Sequence, residues 1–229
     1  MTDTADPEMY SEFTYETRRK KQRVPPGQRR VEKYPVLSID QTPKFDPKKP
    51  VWDIEVTGAV DHPKKWNWQE FLKLPKTMVK TDIHCVTGWS KLDMNWAGVS
   101  FKTIIDLVGP RSDVIAVTSY GNEFYTSSAL LQDMRDPDVL LAYELEGEAL
   151  NSEHGGPLRL LLPKIYFYKS TKWLRKLEFT ASWERGFWEV RGYHQRADPW
   201  QEERYASQER PKRAQIQKEF KKLWKNDES

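Results

Sequence analysis

The chain has 229 residues, of which 38% are hydrophobic and 31% are charged, so its length allows one domain with flanking segments or two small domains. The formal net charge of +3 is too balanced to indicate a nucleic-acid partner, and no apolar run reaches the roughly 18–20 residues that a membrane helix needs. We expect a cytoplasmic protein without a membrane segment. It should comprise an extended N-terminal arm (1–50), a folded domain (51–194) and a charged, partly helical C-terminal tail (195–229).

Strand and short helix patterns alternate through the folded domain. In chain order the pattern predicts a strand over 51–60, a helix over 68–74, a strand over 78–86, and a helix over 100–109 that Ser100 caps and Gly109 ends. It then predicts a strand over 114–120, a turn at Gly121–Asn122, a helix over 128–134, and strands over 139–147, 158–163 and 173–182. Ile216, Phe220 and Leu223 have the spacing of an amphipathic helix in the tail. Such short connections leave no room for repeated strand–helix–strand crossovers, so the predicted class is α+β with mixed or antiparallel sheets.

Cys85 is the first candidate for chemistry. It is the single cysteine, which excludes an internal disulfide, and it lies where a predicted strand runs into Thr87 and Gly88. A lone cysteine is more often a small buried hydrophobe than a reactive group. The histidines do not have zinc-ligand spacings relative to Cys85, so a zinc site is not indicated. A cysteine-dependent hydrolase stays open as an alternative.

A second cluster spans residues 154–174. His154-Gly-Gly-Pro forms a tight turn, Arg159 begins the next strand, and Ser170 and Lys172 lie in the loop that follows. Two cationic, amide-rich loops beside one strand suit the binding of phosphate. The alternative is an ordinary glycine turn with solvated lysines.

Four motifs follow one another along the chain: DIHCVTGWS, HGGPLRLLLP, KSTKWL and FWEVRGYH. In this order they resemble the sulfite-oxidase-type molybdopterin domain, over roughly residues 20–194, and especially its small prokaryotic members. The resemblance implies a molybdenum–molybdopterin cofactor, a small-molecule substrate, two-electron oxygen-atom transfer and a separate electron-transfer partner. No C-x-x-C-H motif is present, so we expect no haem. The alternative is a non-catalytic molybdopterin-binding or interaction protein.

The resemblance also implies roles for particular residues. Cys85 matches the cysteine whose thiolate binds molybdenum, and Tyr193 matches the tyrosine beside the metal, so both are candidate catalytic residues. The matching positions imply five cofactor contacts, at His154, Arg159, Ser170, Lys172 and Thr118.

One departure from the family pattern bears on the substrate. In sulfite oxidases the cysteine leads into a G-N-R-R run, whereas here Thr87, Gly88, Trp89 and Ser90 follow it. We therefore expect a neutral or amphipathic substrate, such as a sulfoxide or an N-oxide, rather than sulfite. The predicted pocket has Trp89, Trp96, Trp188 and Tyr193 in its wall, with His84 and His154 at its edge. Arg185 and Arg191 restore anion binding if they face the site, and the alternative for the tryptophans is core packing.

Overall fold

The computed structural model describes residues 23–33, 35–39, 41–46 and 51–209. The predicted tail helix around Ile216 lies outside these residues. The described chain folds into two β-sheets with three short α-helices, which confirms the α+β class. No helix in this part of the chain has the length and apolarity required to cross a bilayer.

The first sheet carries Cys85. Its longest strand is β5, which pairs antiparallel with β4 and β8, while β1 adds two residues in parallel beside the start of β5. Strands β10 and β9 both pair with β8. The strands of this sheet are β1 (Arg29–Arg30), β4 (Lys76–Cys85), β5 (Trp89–Ser100), β8 (Leu140–Leu145), β9 (Glu148–Ala149) and β10 (Arg159–Leu161).

The second sheet has the strand order β3-β2-β11-β6-β7. The β11–β2 pair is parallel, and the other pairs are antiparallel. Its strands are β2 (Asp53–Gly58), β3 (Lys64–Asn67), β6 (Ala116–Tyr120), β7 (Thr126–Leu130) and β11 (Lys176–Thr180). Strands β6 and β7 form the predicted hairpin, because the chain reverses just after Tyr120.

Capping residues set the helix ends. The helices are α1 (Trp68–Phe71), α2 (Phe101–Val108) and α3 (Leu131–Met134). The side chain of Asn67 caps α1 and the side chain of Ser100 caps α2, each by accepting a hydrogen bond from a backbone amide of the first turn. Gly109 ends α2 in the left-handed conformation, as predicted.

The predicted pattern was wrong at Ser128–Leu130, and it missed strands β3 and β5. Residues Ser128–Leu130 belong to strand β7 rather than to a helix, because they pair with β6, and only Leu131–Met134 is helical. Residues Trp89–Ser100 form strand β5, for which no strand was predicted. The division into arm, domain and tail stays a prediction, although residues of both flanks contact the first sheet.

Two apolar clusters fill the interior. The larger one packs helix α2 against strands of both sheets, with Val56, Phe101, Ile104 and Leu177 among its fully buried members. The smaller one lies beside the end of β4 and includes Cys85, Trp89, Trp96 and Tyr166. Burying a large apolar side chain contributes about 1.5–3 kcal/mol, so this second cluster fixes the strand end that presents Cys85.

Candidate active site

A cavity of about 320 Å³ opens beside the end of strand β4, and Cys85 lies in its wall. Seven of the predicted site residues line it: Cys85, Trp89, Arg159, Ser170, Lys172, Trp188 and Tyr193. No aspartate or glutamate among the described residues lines this cavity, whereas Arg159 and Lys172 both do. A positive cavity with a thiol in its wall suits an anionic ligand that carries a soft metal.

The turn after Cys85 is held by both flanks of the chain. Its own hydrogen bond runs from the Gly88 amide to the Cys85 carbonyl, 3.0 Å away. In the N-terminal flank, the Gln28 side chain donates to the same carbonyl at 3.0 Å. In the C-terminal flank, the Arg204 guanidinium donates to the Val86 carbonyl. Hydrogen bonds from both flanks therefore fix the backbone that carries the thiol.

Burial raises the pKa of the Cys85 thiol above its ordinary value, while a hydrogen bond with Thr87 and the charge of Arg204 act in the opposite direction. The Cys85 sulfur lies 3.2 Å from the Thr87 hydroxyl oxygen. A bound metal replaces the thiol proton, so it removes the protonated state that burial favours.

Arg204→Gln is therefore expected to move the alkylation of Cys85 to higher pH. Glutamine can still donate a hydrogen bond to the turn, but it removes the positive charge that stabilises the thiolate. Cys85 is the single cysteine, so the pH dependence of the iodoacetamide reaction with cofactor-free protein reports on it alone. Arg196→Gln, at an exposed position, is the control. An unchanged inflection in Arg204→Gln would contradict the effect of this charge.

Arg159 joins the two loops of the predicted phosphate region. Its side chain is 1% exposed, and its guanidinium donates to the carbonyls of His154 at 2.6 Å and Ser170 at 2.8 Å. Its charge also lies 4.2 Å above the ring of Phe167, which lines the cavity. The arginine is thus both a charge in the cavity wall and a cross-link between loops.

Lys172 supplies the second charge. Its ammonium donates to the carbonyls of Glu153 at 2.6 Å and Leu37 at 2.8 Å. Burial, followed by the charge of Arg159, lowers the pKa of Lys172 to about 8. Gly155 lies against this lysine in a left-handed conformation, and a Cβ there would come within 2.8 Å of the Lys172 Cγ. Ser170 lies two residues before Lys172, and its hydroxyl accepts a hydrogen bond from the Leu162 amide.

Tyrosines and a tryptophan form another part of the wall. Tyr125 donates its hydroxyl to the Tyr168 carbonyl, and Tyr168 donates its own to the His194 carbonyl at 2.5 Å. Within the described chain, the hydroxyl of Tyr193 makes no such hydrogen bond. The Tyr193 ring lies 5.1 Å from Trp188 and 5.5 Å from Tyr168, so its position is fixed while its hydroxyl can donate to a ligand.

Besides Trp96, three predicted site residues do not line the cavity. His84 precedes Cys85 in strand β4, so its side chain points to the opposite face, where it contacts the Ser90 hydroxyl at 2.8 Å and borders a separate acidic cavity. Thr118 does not line the cavity, and the neighbouring Ser119 hydroxyl lies 2.6 Å from the Thr171 hydroxyl, so cofactor binding by Thr118 stays a prediction. His154 reaches the region through its carbonyl, which Arg159 contacts.

The remaining sequence expectations concern tryptophan and arginine. Trp96 is 1% exposed and packs in the smaller apolar cluster without lining the cavity. Trp89 belongs to the same cluster but lines the cavity, as does Trp188. Arg185 donates to Glu209, and Arg191 lies over the ring of Phe187, so neither restores a positive charge to the cavity wall.

Several lining or supporting residues were missed from sequence. Tyr125 and Tyr168 both line the cavity. Tyr168 lies two residues before Ser170 of the predicted phosphate loop, and this position was a usable sequence signal. Arg204 had no local signal, because it reaches the Cys85 turn from 118 residues away. In the described part of the chain no group of three or more His, Cys, Asp or Glu side chains is placed to hold a metal ion.

The family model described as oxidoreductase molybdopterin binding domain matches residues 40–188, which is more than half of the chain. The chain belongs to the molybdopterin-binding oxidoreductase family. This membership confirms the resemblance inferred from the motifs, and it makes the protein an enzyme rather than the non-catalytic alternative.

Relatives of this molybdopterin-binding oxidoreductase include the uncharacterized oxidoreductase YuiH of Bacillus subtilis, 42% identical over 80% of this chain and 92% of YuiH. A putative protein-methionine-sulfoxide reductase subunit, YedZ1 of Azospira oryzae, is 32% identical over 62% of this chain and 53% of YedZ1. The sulfane dehydrogenase SoxCD of Paracoccus pantotrophus has a similar fold, with a TM-score of 0.55 and 21% identity over 62% of this chain and 40% of that one. The chain thus spans nearly all of YuiH but about half of YedZ1.

The residues present fit a molybdopterin cofactor. A single thiol in the cavity wall offers one soft ligand, which suits a metal whose other ligands come from a dithiolene. The two cations in the same wall suit the phosphate of the pterin, and no described carboxylate opposes it.

Proposed function

We propose that this molybdopterin-binding oxidoreductase reduces a neutral sulfoxide or N-oxide with two electrons and two protons, so that the substrate oxygen leaves as water. The observation that carries this proposal is the distribution of charge in the cavity wall. Both described cations of the wall, Arg159 and Lys172, come from the region that the resemblance assigns to phosphate. The other lining residues are neutral, so no described guanidinium is left to hold the sulfite dianion.

The cofactor has its own contacts in this proposal. Cys85 binds the molybdenum, and Arg159, Ser170 and Lys172 hold the phosphate of the pterin. When bound, the molybdenum supplies two-electron oxygen-atom transfer. The protein contributes binding, orientation and a defined electrostatic environment.

The substrate has a different set of contacts. Trp188 packs against the apolar part of the substrate, and the Tyr193 hydroxyl donates a hydrogen bond to its oxygen. A sulfoxide, two electrons and two protons yield a sulfide and one water. The electrons come from a separate carrier that is oxidised in the same turnover. The name of the relative YedZ1 supports a sulfoxide as substrate.

The test uses protein purified from cells grown with molybdate. Molybdenum and pterin are measured per chain, and oxidation of a reduced viologen dye is followed with sulfoxides and N-oxides. Sulfite is assayed separately with ferricyanide as the oxidant. We expect near-equimolar cofactor and turnover of a sulfoxide or an N-oxide. Turnover of sulfite alone by cofactor-loaded protein would refute the proposed substrate class.

Tyr193→Phe is expected to lower kcat for the sulfoxide by about 10²-fold, because one preorganised donor to the substrate oxygen is lost. Molybdenum content should not change. Tyr125→Phe is the matched control, since that hydroxyl is already used by the Tyr168 carbonyl. Equal losses of kcat in the two variants would rule out a specific role for the Tyr193 hydroxyl.

Lys172 gives phosphate binding a pH dependence. Its pKa of about 8 means that the side chain is cationic below this pH and neutral above it, although a bound anion raises the pKa. We expect the thermal stabilisation of cofactor-free protein by inorganic pyrophosphate to fall between pH 7 and pH 10. In Lys172→Arg the cation persists, so the stabilisation at pH 10 should exceed that of the wild type. Identical pH profiles would argue against binding of phosphate by Lys172.

A further inference from the structure

A buried ion pair lies behind the cavity wall. Lys169 and Glu189 are both 0% exposed in their side chains, and the Lys169 ammonium donates to Glu189 Oε1. Neither side chain lines the cavity. Removing two charges from water costs several kcal/mol per ion, so a pair of this kind is weak evidence for stability and calls for another explanation.

Both members of the pair are chain neighbours of cavity residues. Lys169 lies between Tyr168 and Ser170, in the loop that continues to Lys172. Glu189 directly follows Trp188 and begins a 3₁₀ turn that leads to Tyr193. The pair therefore connects the loop proposed to bind phosphate with the wall proposed to bind substrate.

Further hydrogen bonds extend this connection. The Lys169 ammonium also donates to the carbonyls of Ser128 at 2.9 Å and Gln195 at 2.6 Å. The Ser127 hydroxyl donates to Glu189 Oε1 at 3.2 Å. Strand β7, the phosphate loop and the segment beyond Tyr193 thus meet at one ammonium group.

One oxygen of the Glu189 carboxylate makes the hydrogen bonds of this ion pair. Among the described residues Glu189 Oε2 is buried without a hydrogen-bond partner, so Oε1 alone carries the contacts of the carboxylate. Apolar side chains would fill the same space at a lower desolvation cost, but they would not define one relative position of the three segments.

We propose that Lys169 and Glu189 are a positioning pair that holds Trp188 and Tyr193 in register with the loop of Ser170 and Lys172. This role rests on the proposed function, because it assigns the pair to the substrate wall of that site. Neither residue touches substrate or cofactor. The pair affects substrate binding because it sets the position of Trp188 and Tyr193.

The first experiment needs no cofactor. Hydrogen exchange is measured by mass spectrometry on the cofactor-free wild type, Lys169→Met and Glu189→Gln. In each variant we expect exchange to accelerate by about tenfold or more in both segments, 166–171 and 187–195, with helix α2 unchanged. Lys76→Met is the control, since Lys76 forms a 2.6 Å ion pair with Glu144 that is partly exposed. Acceleration confined to the segment that carries the substitution would overturn the proposal.

The second experiment separates position from stability. In the double variant Lys169→Met/Glu189→Leu neither partner leaves an unpaired buried charge. The melting temperature of this variant should therefore recover towards that of the wild type, even where a single variant does not fold. Loaded with cofactor, this double variant should keep a KM for the sulfoxide raised by about tenfold, with molybdenum content unchanged. A wild-type KM would overturn the proposal, because space filling would then suffice. If wild-type protein turned over no sulfoxide or N-oxide, the proposed function would fail, while hydrogen exchange would still decide the role of the pair.

Discussion

Cys85→Ser is expected to abolish oxygen-atom transfer and to lower the molybdenum content to about a tenth of that of the wild type or less. A serine hydroxyl is a harder and more weakly acidic ligand than a thiol, so it does not replace the thiolate toward a soft metal site. The fold should persist, since the substitution changes one atom and is expected to cost about 1 kcal/mol of unfolding free energy. The viologen assay, metal analysis and urea denaturation of cofactor-free protein measure activity, molybdenum content and the free energy of unfolding.

The matched control for this variant is His84→Asn. It alters the adjacent residue of strand β4, but its side chain faces away from the cavity and can keep a hydrogen bond to Ser90. We expect molybdenum content and activity near those of the wild type. Full activity in Cys85→Ser, or equal loss in the two variants, would refute the assignment of Cys85 as the metal ligand.

Arg159→Met is expected to remove the cofactor and to weaken the fold at the same time. The substitution removes a charge from the cavity wall and leaves the buried carbonyls of His154 and Ser170 without their donor. Lost hydrogen bonds from a charged group predict a decrease of about 3 kcal/mol in the free energy of unfolding. Urea denaturation of cofactor-free protein gives this value, and pterin fluorescence gives cofactor occupancy.

Lys172→Met tests whether the two effects can be separated. Lys172 is less buried than Arg159 and lies in a loop, so its loss should reduce cofactor occupancy with less than about 1 kcal/mol of destabilisation. A cofactor occupancy in Arg159→Met equal to that of the wild type would exclude phosphate binding by this arginine. An unfolding free energy unchanged in Arg159→Met would exclude its role as the cross-link between loops.

Local signals predicted helix α2 well. The Ser100 cap, the apolar spacing of Phe101, Ile104 and Ile105, and the Gly109 stop all lie within ten residues of one another and act on the same short segment. Strand β4 was predicted for a similar reason, since its alternation is contained in the segment itself.

Non-local pairing explains the errors. Ala129 and Leu130 are strong helix formers, which explains the predicted helix. They nevertheless belong to a strand with Ser128, because residues of β6 supply hydrogen-bond partners. Strand β5 did carry a usable signal, because Leu92, Met94 and Trp96 alternate with less buried neighbours. Its glycine and asparagine residues obscured that period.

The residues of the candidate site also differ in whether a local sequence pattern predicts them. The motifs led to five residues that line one cavity, because these residues lie in short segments whose spacing is characteristic: Cys85, Arg159, Ser170, Lys172 and Tyr193. The placement of His84 could also have been predicted, since consecutive strand residues face opposite ways. No local pattern relates residue 204 to Cys85, because their proximity follows only from the folded chain.

The separation in sequence between the Cys85 turn and Arg204 determines when the site can form during synthesis. Gln28 is made before Cys85, so the first contact to the Cys85 carbonyl is available as soon as the turn leaves the ribosome. The contact from Arg204 to Val86 must wait for 118 further residues. In a nascent chain the turn after Cys85 therefore has the Gln28 contact but lacks the Arg204 contact until the described part of the chain is almost fully translated. A cofactor can therefore enter a site that has both contacts only after nearly all of this fold has been translated.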